Sequence, residues 1–197
     1  RPDLLAAWQW ASERALWGAE ALQRHLQRPP LSRAALDLIG ALCAELARRP
    51  PVLGSSDYNA RNVVISPAGT AFFIEFSKLS WDWTERRIVQ YTTSMGGGRC
   101  NGGMRSILDA RTACAYGQLA GDPCVVRALE GHQIAFQLNA AAALCGALEH
   151  PLEASNAALL RAWKNPRERL QAMAHALGEP LSDDGDIRRV RALFTLN

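Results

Sequence analysis

The sequence contains little lysine: its 22 basic residues include only Lys78 and Lys164, and all the others are arginines. The arginines are spread along the chain without forming blocks, whereas nucleic-acid-binding surfaces cluster basic residues and interleave them with aromatic ones. The net charge of +3 is small for 197 residues. We therefore expect no nucleic-acid partner, and we expect arginine pairs such as Arg86-Arg87 on solvated helix faces.

The sequence also lacks the cysteine spacing of metal sites and disulfide frameworks. Its five cysteines are odd in number and form no C-x-x-C pair, which excludes the usual zinc motifs and a fully paired disulfide set. Cys43, Cys114 and Cys145 lie in alanine- and leucine-rich stretches and are predicted to be small core residues. Cys100 lies among glycines, where it can be exposed, but no obvious base lies nearby to activate it.

Long apolar runs are absent as well. No segment approaches the roughly 20 apolar residues that span a bilayer, and no basic stretch followed by an apolar one forms a leader. We therefore expect no membrane partner and a reducing, cytoplasmic location. The chain begins with Arg1 rather than Met, so we expect further residues to precede it in the natural reading frame.

The spacing of apolar residues predicts a mostly α-helical chain with one small β-hairpin. Two helices are predicted within residues 1–49, the first from Asp3 to about Gln27 and the second from Ala34 to Arg48. Residues 77–83 are predicted to form a loop. Five further helices are expected within residues 84–197, at about 84–93, 104–119, 123–148, 153–176 and 184–195.

The hairpin is predicted from two short runs of β-branched and aromatic residues, 62–65 and 71–74. The residues Ser66-Pro67-Ala68-Gly69 between them have the composition of a tight turn. We expect residues 1–197 to form a single helical lobe in which residues 55–77 carry the hairpin and residues 84–197 form a helical subdomain.

The first helix carries an unusually broad apolar face. Its tryptophans, Trp8, Trp10 and Trp17, recur at helical spacing, which is more typical of core packing than of a ligand site. A face this broad is what a chain would show if an additional lobe or a partner chain covered part of it.

One segment carries the residue types that phosphoryl transfer requires. Asp57 can orient an acceptor hydroxyl and take its proton, and Asn62 and Glu75 can supply oxygen ligands for Mg²⁺ on ATP. Because a hairpin returns its second strand beside the first, Asn62 and Glu75 can be neighbours in space. Taken singly, each of these residues is better explained by an ordinary turn, cap or strand-edge position, and only the three together, in register around a hairpin, favour kinase ancestry.

This segment resembles the aminoglycoside phosphotransferase and choline kinase families, which are more distantly similar to protein kinases. These families show H-x-D-x-x-x-x-N, two apolar strands around a turn, and then an acidic-Phe pair. Here Asp57 and Asn62 have the family spacing, and Ile74-Glu75-Phe76 stands in place of I-D-F. The resemblance implies the C-terminal lobe of a protein-kinase-like fold, with Asp57 as catalytic base and with Asn62 and Glu75 as ligands for magnesium and ATP.

Neighbouring residues acquire candidate roles from the same resemblance. Arg61 precedes the presumed metal ligand and could neutralise a phosphate, although an ordinary surface arginine is the commoner case. Trp81, Asp82 and Trp83 follow the metal loop where related kinases shape the acceptor pocket, so contact with substrate and plain packing both remain open. The implied acceptor is a small-molecule hydroxyl.

The chain departs from the family pattern in three respects. Ser55 replaces the bracing histidine, Glu75 replaces the metal-binding aspartate, and residues 1–54 contain no lysine to bind the nucleotide phosphates. Binding of Mg²⁺ and ATP would therefore require a nucleotide lobe from an upstream segment or a partner chain. The alternatives are a kinase-derived binding or scaffold protein that has lost catalysis, and a different activity that reuses the acidic hairpin without ATP.

Overall fold

The computed structural model describes residues 2–55, 62–73, 78–97, 106–163 and 165–195. These residues are mostly helical and carry two small antiparallel ladders, which confirms the predicted helical character. In chain order the elements are α1 (Pro2–His25), α2 (Arg33–Ala47), β1 (Val52–Ser55), β2 (Val63–Ile65), β3 (Ala71–Phe73), β4 (Leu79–Asp82), α3 (Thr84–Gly97), α4 (Ala110–Ala120), α5 (Val125–Glu149), α6 (Ala154–Ala162), α7 (Pro166–Gly178) and α8 (Gly185–Ala192).

Helix α5 lies at the centre of the fold because buried residues occur on every side of it. A helix with apolar residues on every side can bury all of them only when other elements pack around it. Helices α1, α3, α4, α6 and α7 pack around it. Leu129, Leu138 and Leu144 of α5 are fully buried in this arrangement.

Helices α1 and α5 approach each other closely at Gly18. A Cβ atom at Gly18 would lie 2.1 Å from the carbonyl oxygen of Leu138 and 3.0 Å from the Cβ of Ala142. Ala15 and Ala19 on the same helix are fully buried. Small residues therefore set the distance between these two helices.

The C-terminal helices are attached to α5 by a buried ion pair. The Arg191 Nε donates to Glu130 Oε1 at 3.0 Å, and the exposed fractions of the two side chains are only 2% and 0%. Arg191 also donates to Gln133 and to the carbonyl of Leu177, and the Leu181 N–H donates to Glu130. A buried ion pair is tolerated only when additional hydrogen bonds of this kind satisfy the remaining donors and acceptors of both side chains.

Several predicted helix boundaries are wrong. The helix predicted over 153–176 is two helices, because Pro166 lacks an N–H and begins α7, while Asn165 before it adopts a left-handed φ of 55°. The helix predicted from 104 begins at Ala110, where the Asp109 side chain accepts a hydrogen bond from the Thr112 N–H at 2.7 Å. Helix α3 continues to Gly97, past the predicted end at 93.

The burial predictions are partly confirmed. Cys43 and Cys145 are buried, and burial raises the pKa of the Cys43 thiol to about 11. Cys114 is exposed, so its predicted core position is wrong, and Cys100 lies outside the described residues. Trp8 is buried, whereas Trp10 is 59% exposed and does not belong to the core.

Among the described residues, no helix combines the length and apolar character needed to cross a membrane.

Candidate functional site

The predicted hairpin is present as β2 and β3. Val63 lies opposite Phe73, and Ile65 lies opposite Ala71. At the turn, the Gly69 N–H donates to the Ser66 carbonyl at 2.9 Å, and Gly69 has a φ of 82° that favours glycine. The prediction of a tight turn at 66–69 is confirmed.

A second ladder pairs β1 with β4, in a region predicted to be loop. The two strands are antiparallel, with Val52 opposite Asp82 and Ser55 opposite Leu79. The loop prediction for residues 79–82 is therefore wrong. Four-residue strands carry little periodic signal, and this pair joins segments separated by the whole hairpin, so local sequence gave no indication of it.

Arg87 of α3 holds the two strands of the second ladder through their main chains. Its guanidinium donates to the carbonyl of Ser80 at 2.6 Å and to that of Val52 at 3.1 Å. A Cβ at Gly54 would lie 2.1 Å from the Arg87 Nη1, so glycine is what lets the guanidinium lie against β1. The expectation that Arg86-Arg87 lies on a solvated face is wrong, because both residues are half-buried.

The start of β1 is anchored by a second arginine. Arg49 donates to Glu85 at 2.9 Å and to Asp122 at 2.6 Å, and its own carbonyl accepts from the Trp83 indole at 2.8 Å. The hydrogen bond from Arg49 lowers the pKa of the Asp122 carboxyl. Residues from α3, the α4–α5 turn and the end of α2 thus fix where the first strand begins.

The two ladders flank the candidate segment in the chain. Residues 56–62 connect β1 to β2, and residues 74–78 connect β3 to β4. At one end of this region Ser55 lies opposite Leu79, and at the other Val63 lies opposite Phe73. The strand residue before each connection is therefore paired with the strand residue after the other one, Ser55 with Leu79 and Phe73 with Val63.

Of the residues assigned to catalysis and metal binding, the structure describes only Asn62, which is half-buried and directly precedes β2. Asp57, Arg61 and Glu75 lie outside the described residues. The convergence of Asp57, Asn62 and Glu75 on one pocket stays a prediction. Among the described residues there is no group of three or more His, Cys, Asp or Glu side chains able to hold a metal ion.

The three residues assigned to substrate contact differ in exposure. Trp81 is 41% exposed, whereas Asp82 and Trp83 are buried. The Asp82 carboxylate accepts from the Trp83 N–H at 2.8 Å and from the Arg86 guanidinium at 2.9 Å. Asp82 and Trp83 therefore serve packing and helix attachment in this structure, and the substrate-contact role of the three stays a prediction.

Trp83 belongs to an aromatic cluster with Trp8 and His132. The Trp8 and Trp83 rings are 5.1 Å apart, and the imidazole of His132 lies 5.2 Å from Trp8 and 5.8 Å from Trp83. Each indole N–H is satisfied by a carbonyl, that of Trp8 by Cys43 at 2.9 Å. The cluster joins α1, α5 and Trp83, which lies between β4 and α3 directly beside the second ladder.

His132 is the one member of the cluster whose polar atoms are unsatisfied. Neither ring nitrogen has a hydrogen-bond partner among the described residues, and the side chain is only 2% exposed. Burial, followed by the nearby charges of Arg86 and Arg49, lowers the pKa of His132 to about 3. The imidazole is therefore neutral at physiological pH, with one nitrogen able to donate and the other able to accept.

A cavity of about 350 Å³ opens beside this cluster between α1, α3 and α5. Its walls are largely apolar, and its polar lining includes His132, Gln90, Asn139, Arg14 and Arg86. The cavity is not predicted from the sequence. The available signal was the spacing of His132, Phe136, Asn139 and Ala143, which puts two polar and two apolar residues on one face of α5.

Comparison of the chain with protein-family models, with curated proteins and with solved structures yields no match.

Proposed function

We propose that the chain is the catalytic, C-terminal lobe of a small-molecule phosphotransferase that resembles the aminoglycoside phosphotransferase and choline kinase families. In this proposal Asp57 takes the proton of an acceptor hydroxyl, and Asn62 and Glu75 hold magnesium on ATP. Arg61 neutralises a phosphate. A nucleotide lobe comes from a preceding segment or from a partner chain.

The observation that supports this proposal is the pairing of the strand ends around the two connections. Asp57 and Arg61 belong to the connection from β1 to β2, and Glu75 belongs to the connection from β3 to β4. Both connections begin and end at paired strands. Phosphoryl transfer requires the base and the metal ligands close together, and connections that begin and end at paired strands are compatible with that requirement.

The position of Asn62 is the second support. It directly precedes β2, at the end of the hairpin ladder where β3 also ends. A metal ligand at Asn62 is attached directly to β2, and β2 is hydrogen-bonded to its hairpin partner β3. Sites attached to such elements hold their geometry better than sites on free loops.

Nucleotide binding by the chain supplied with its nucleotide lobe, either as the preceding segment or as the partner chain, tests the proposal. Titration of magnesium and ATP, followed by calorimetry and by transfer of labelled γ-phosphate to a panel of small hydroxyl compounds, is expected to show binding and slow transfer. Because general base catalysis contributes about 10² to 10⁴ in rate, Asp57→Asn should lower transfer at least about a hundredfold. Asp37→Asn, on an exposed position of α2, makes the same charge change away from the site and should have no effect.

The alternative function is a kinase-derived binding or scaffold protein without catalysis. It is favoured by Ser55, by Glu75 and by the lack of lysine in residues 1–54. Magnesium prefers near-ideal octahedral geometry, which the extra methylene of Glu75 can disturb.

The double variant Ser55→His with Glu75→Asp distinguishes the two functions because it restores the family residues. Higher transfer in this variant than in the wild type would show a catalytic centre weakened by these two substitutions. Absence of nucleotide binding at millimolar concentration in both proteins, each supplied with the nucleotide lobe, would reject the phosphotransferase and leave the scaffold.

A further inference from the structure

The cavity between α1, α3 and α5 has the composition of a small-molecule site. Its volume of about 350 Å³ lies at the small end of the roughly 300–1,000 Å³ typical of ligand pockets. Trp8, Trp10, Phe136 and Trp163 supply flat aromatic surface, and Ala140 and Ala143 leave space between them. Such walls fit a planar ring better than a flexible chain.

The cavity also contains buried polar atoms that lack partners. Both nitrogens of His132 and the Oε1 of Gln90 have no hydrogen bond to any described residue. Buried polar atoms are normally satisfied by protein or by ordered water. Because the Gln90 oxygen and one nitrogen of a neutral imidazole are acceptors, a ligand that takes the place of water here has to offer an N–H or O–H donor.

The charged groups of the cavity are all positive. Arg14 and Arg86 line it, and no carboxylate does so among the described residues. Arg86 is paired with Asp82 at 2.9 Å. The Arg14 guanidinium lies 5.0 Å from the centre of the Trp10 ring and forms no ion pair within the described part of the chain. An anionic group on a ligand would supply the counter-charge that Arg14 lacks.

We propose that this cavity binds a small aromatic carboxylate that carries a hydroxyl or N–H donor. The ring lies between the indoles, the donor satisfies Gln90 or His132, and the carboxylate faces Arg14. The proposal does not depend on phosphoryl transfer by residues 57–75, since it concerns only the cavity and its lining.

Four matched probes test the charge and the donor separately. They are 4-hydroxyphenylacetate, its neutral amide, the cation tyramine, and phenylacetate, which keeps the carboxylate but lacks the hydroxyl. Calorimetry on the whole chain measures binding near neutral pH. Because a hydrogen bond to a charged group is worth more than a neutral one, the acid should bind about tenfold more tightly than the amide, and tyramine should bind most weakly. Phenylacetate should bind about fivefold more weakly than the hydroxylated acid.

Two variants and one control locate the site. Arg14→Leu should weaken binding of the acid to the level of the amide and leave binding of the amide unchanged. Ala143→Phe should abolish binding of all four probes by filling the cavity. Arg24→Leu is the control, since Arg24 lies on the same helix over Trp17 at 6.0 Å but does not line the cavity.

The result that supports the proposal is the order acid, amide, tyramine in the wild type, with the difference between acid and amide lost in Arg14→Leu. Equal affinity for the three charge forms, tighter binding of tyramine, or no binding of the acid at millimolar concentration would overturn it. The wild-type series decides the matter even if Ala143→Phe fails to fold. Loss of phosphoryl transfer in Asp57→Asn leaves this result unaffected, so the two proposals fail independently.

Discussion

Replacing His132 by phenylalanine should reduce the loss of folding stability that the protein undergoes in mild acid. In the native protein the imidazole is buried between Trp8 and Trp83, without a hydrogen-bond partner among the described residues. Its pKa falls from 6.5 to about 3 because burial, Arg86 and Arg49 all disfavour the charged form. In the unfolded chain the same imidazole titrates at its ordinary value.

The sign and size of the effect follow from proton linkage. Since the folded pKa lies below the unfolded one, unfolding takes up a proton between the two values. The stability due to neutral His132 is therefore complete above the unfolded pKa and is lost as the pH falls toward the folded value. Below the unfolded pKa of 6.5 the loss is about 1.4 kcal/mol per pH unit. Lowering the pH from about 7.5 to about 5 covers about 1.5 units of that range and should remove about 2 kcal/mol of the free energy of unfolding.

Urea denaturation at the two pH values measures this loss directly. His132→Phe keeps an aromatic ring against both tryptophans but cannot take up the proton, so its loss should be about 2 kcal/mol smaller than that of the wild type. His175→Gln is the control, because the His175 side chain is 62% exposed, and it should behave like the wild type. A difference below about 0.5 kcal/mol would show that the imidazole reaches water in the folded state and refute the reasoning.

Two further substitutions test the packing around α5, each by the midpoint of chemical denaturation. Gly18→Ala should destabilise the protein by about 1–3 kcal/mol because its Cβ would meet the main chain of α5, whereas Gly40→Ala, with nothing within 4 Å, should stabilise α2 by up to about 1 kcal/mol. Equal effects of the two would contradict the close helix approach. Arg191→Met should lower stability by about 3–5 kcal/mol by leaving Glu130 buried without its ion-pair partner, while Arg189→Met, 70% exposed on the same helix, should change it by less than about 0.5 kcal/mol.

Local signals in the sequence predicted most of the helices and the hairpin correctly. Ser32 precedes α2 and caps it, since its side chain accepts from the Ala35 N–H at 3.2 Å. Residues 66–69 carry their turn in their own composition. The β1–β4 ladder could not be predicted in this way, because its strands are only four residues long and their partners are distant in sequence.

The candidate functional residues likewise fall into those that local sequence indicates and those that only tertiary packing brings together. Asp57, Asn62 and Glu75 were proposed from spacing and resemblance, which depend only on the order of residues. The cavity beside His132 depends on how α1, α3 and α5 pack, and no single segment encodes that packing. Tertiary packing therefore forms a cavity whose lining residues share no signal in the sequence.

The hydrogen bonds from Arg87 to β1 and β4 determine which positions of these strands tolerate substitution. Since the guanidinium holds carbonyl oxygens, which every amino acid possesses, the exposed positions Leu53 and Leu79 can be altered without loosening it. A larger residue at Gly54 would require the end of the Arg87 side chain to move, because a Cβ there would lie 2.1 Å from its Nη1. The hydrogen bonds from Arg87 to β1 and β4 can thus be kept while the side chains at Leu53 and Leu79 change.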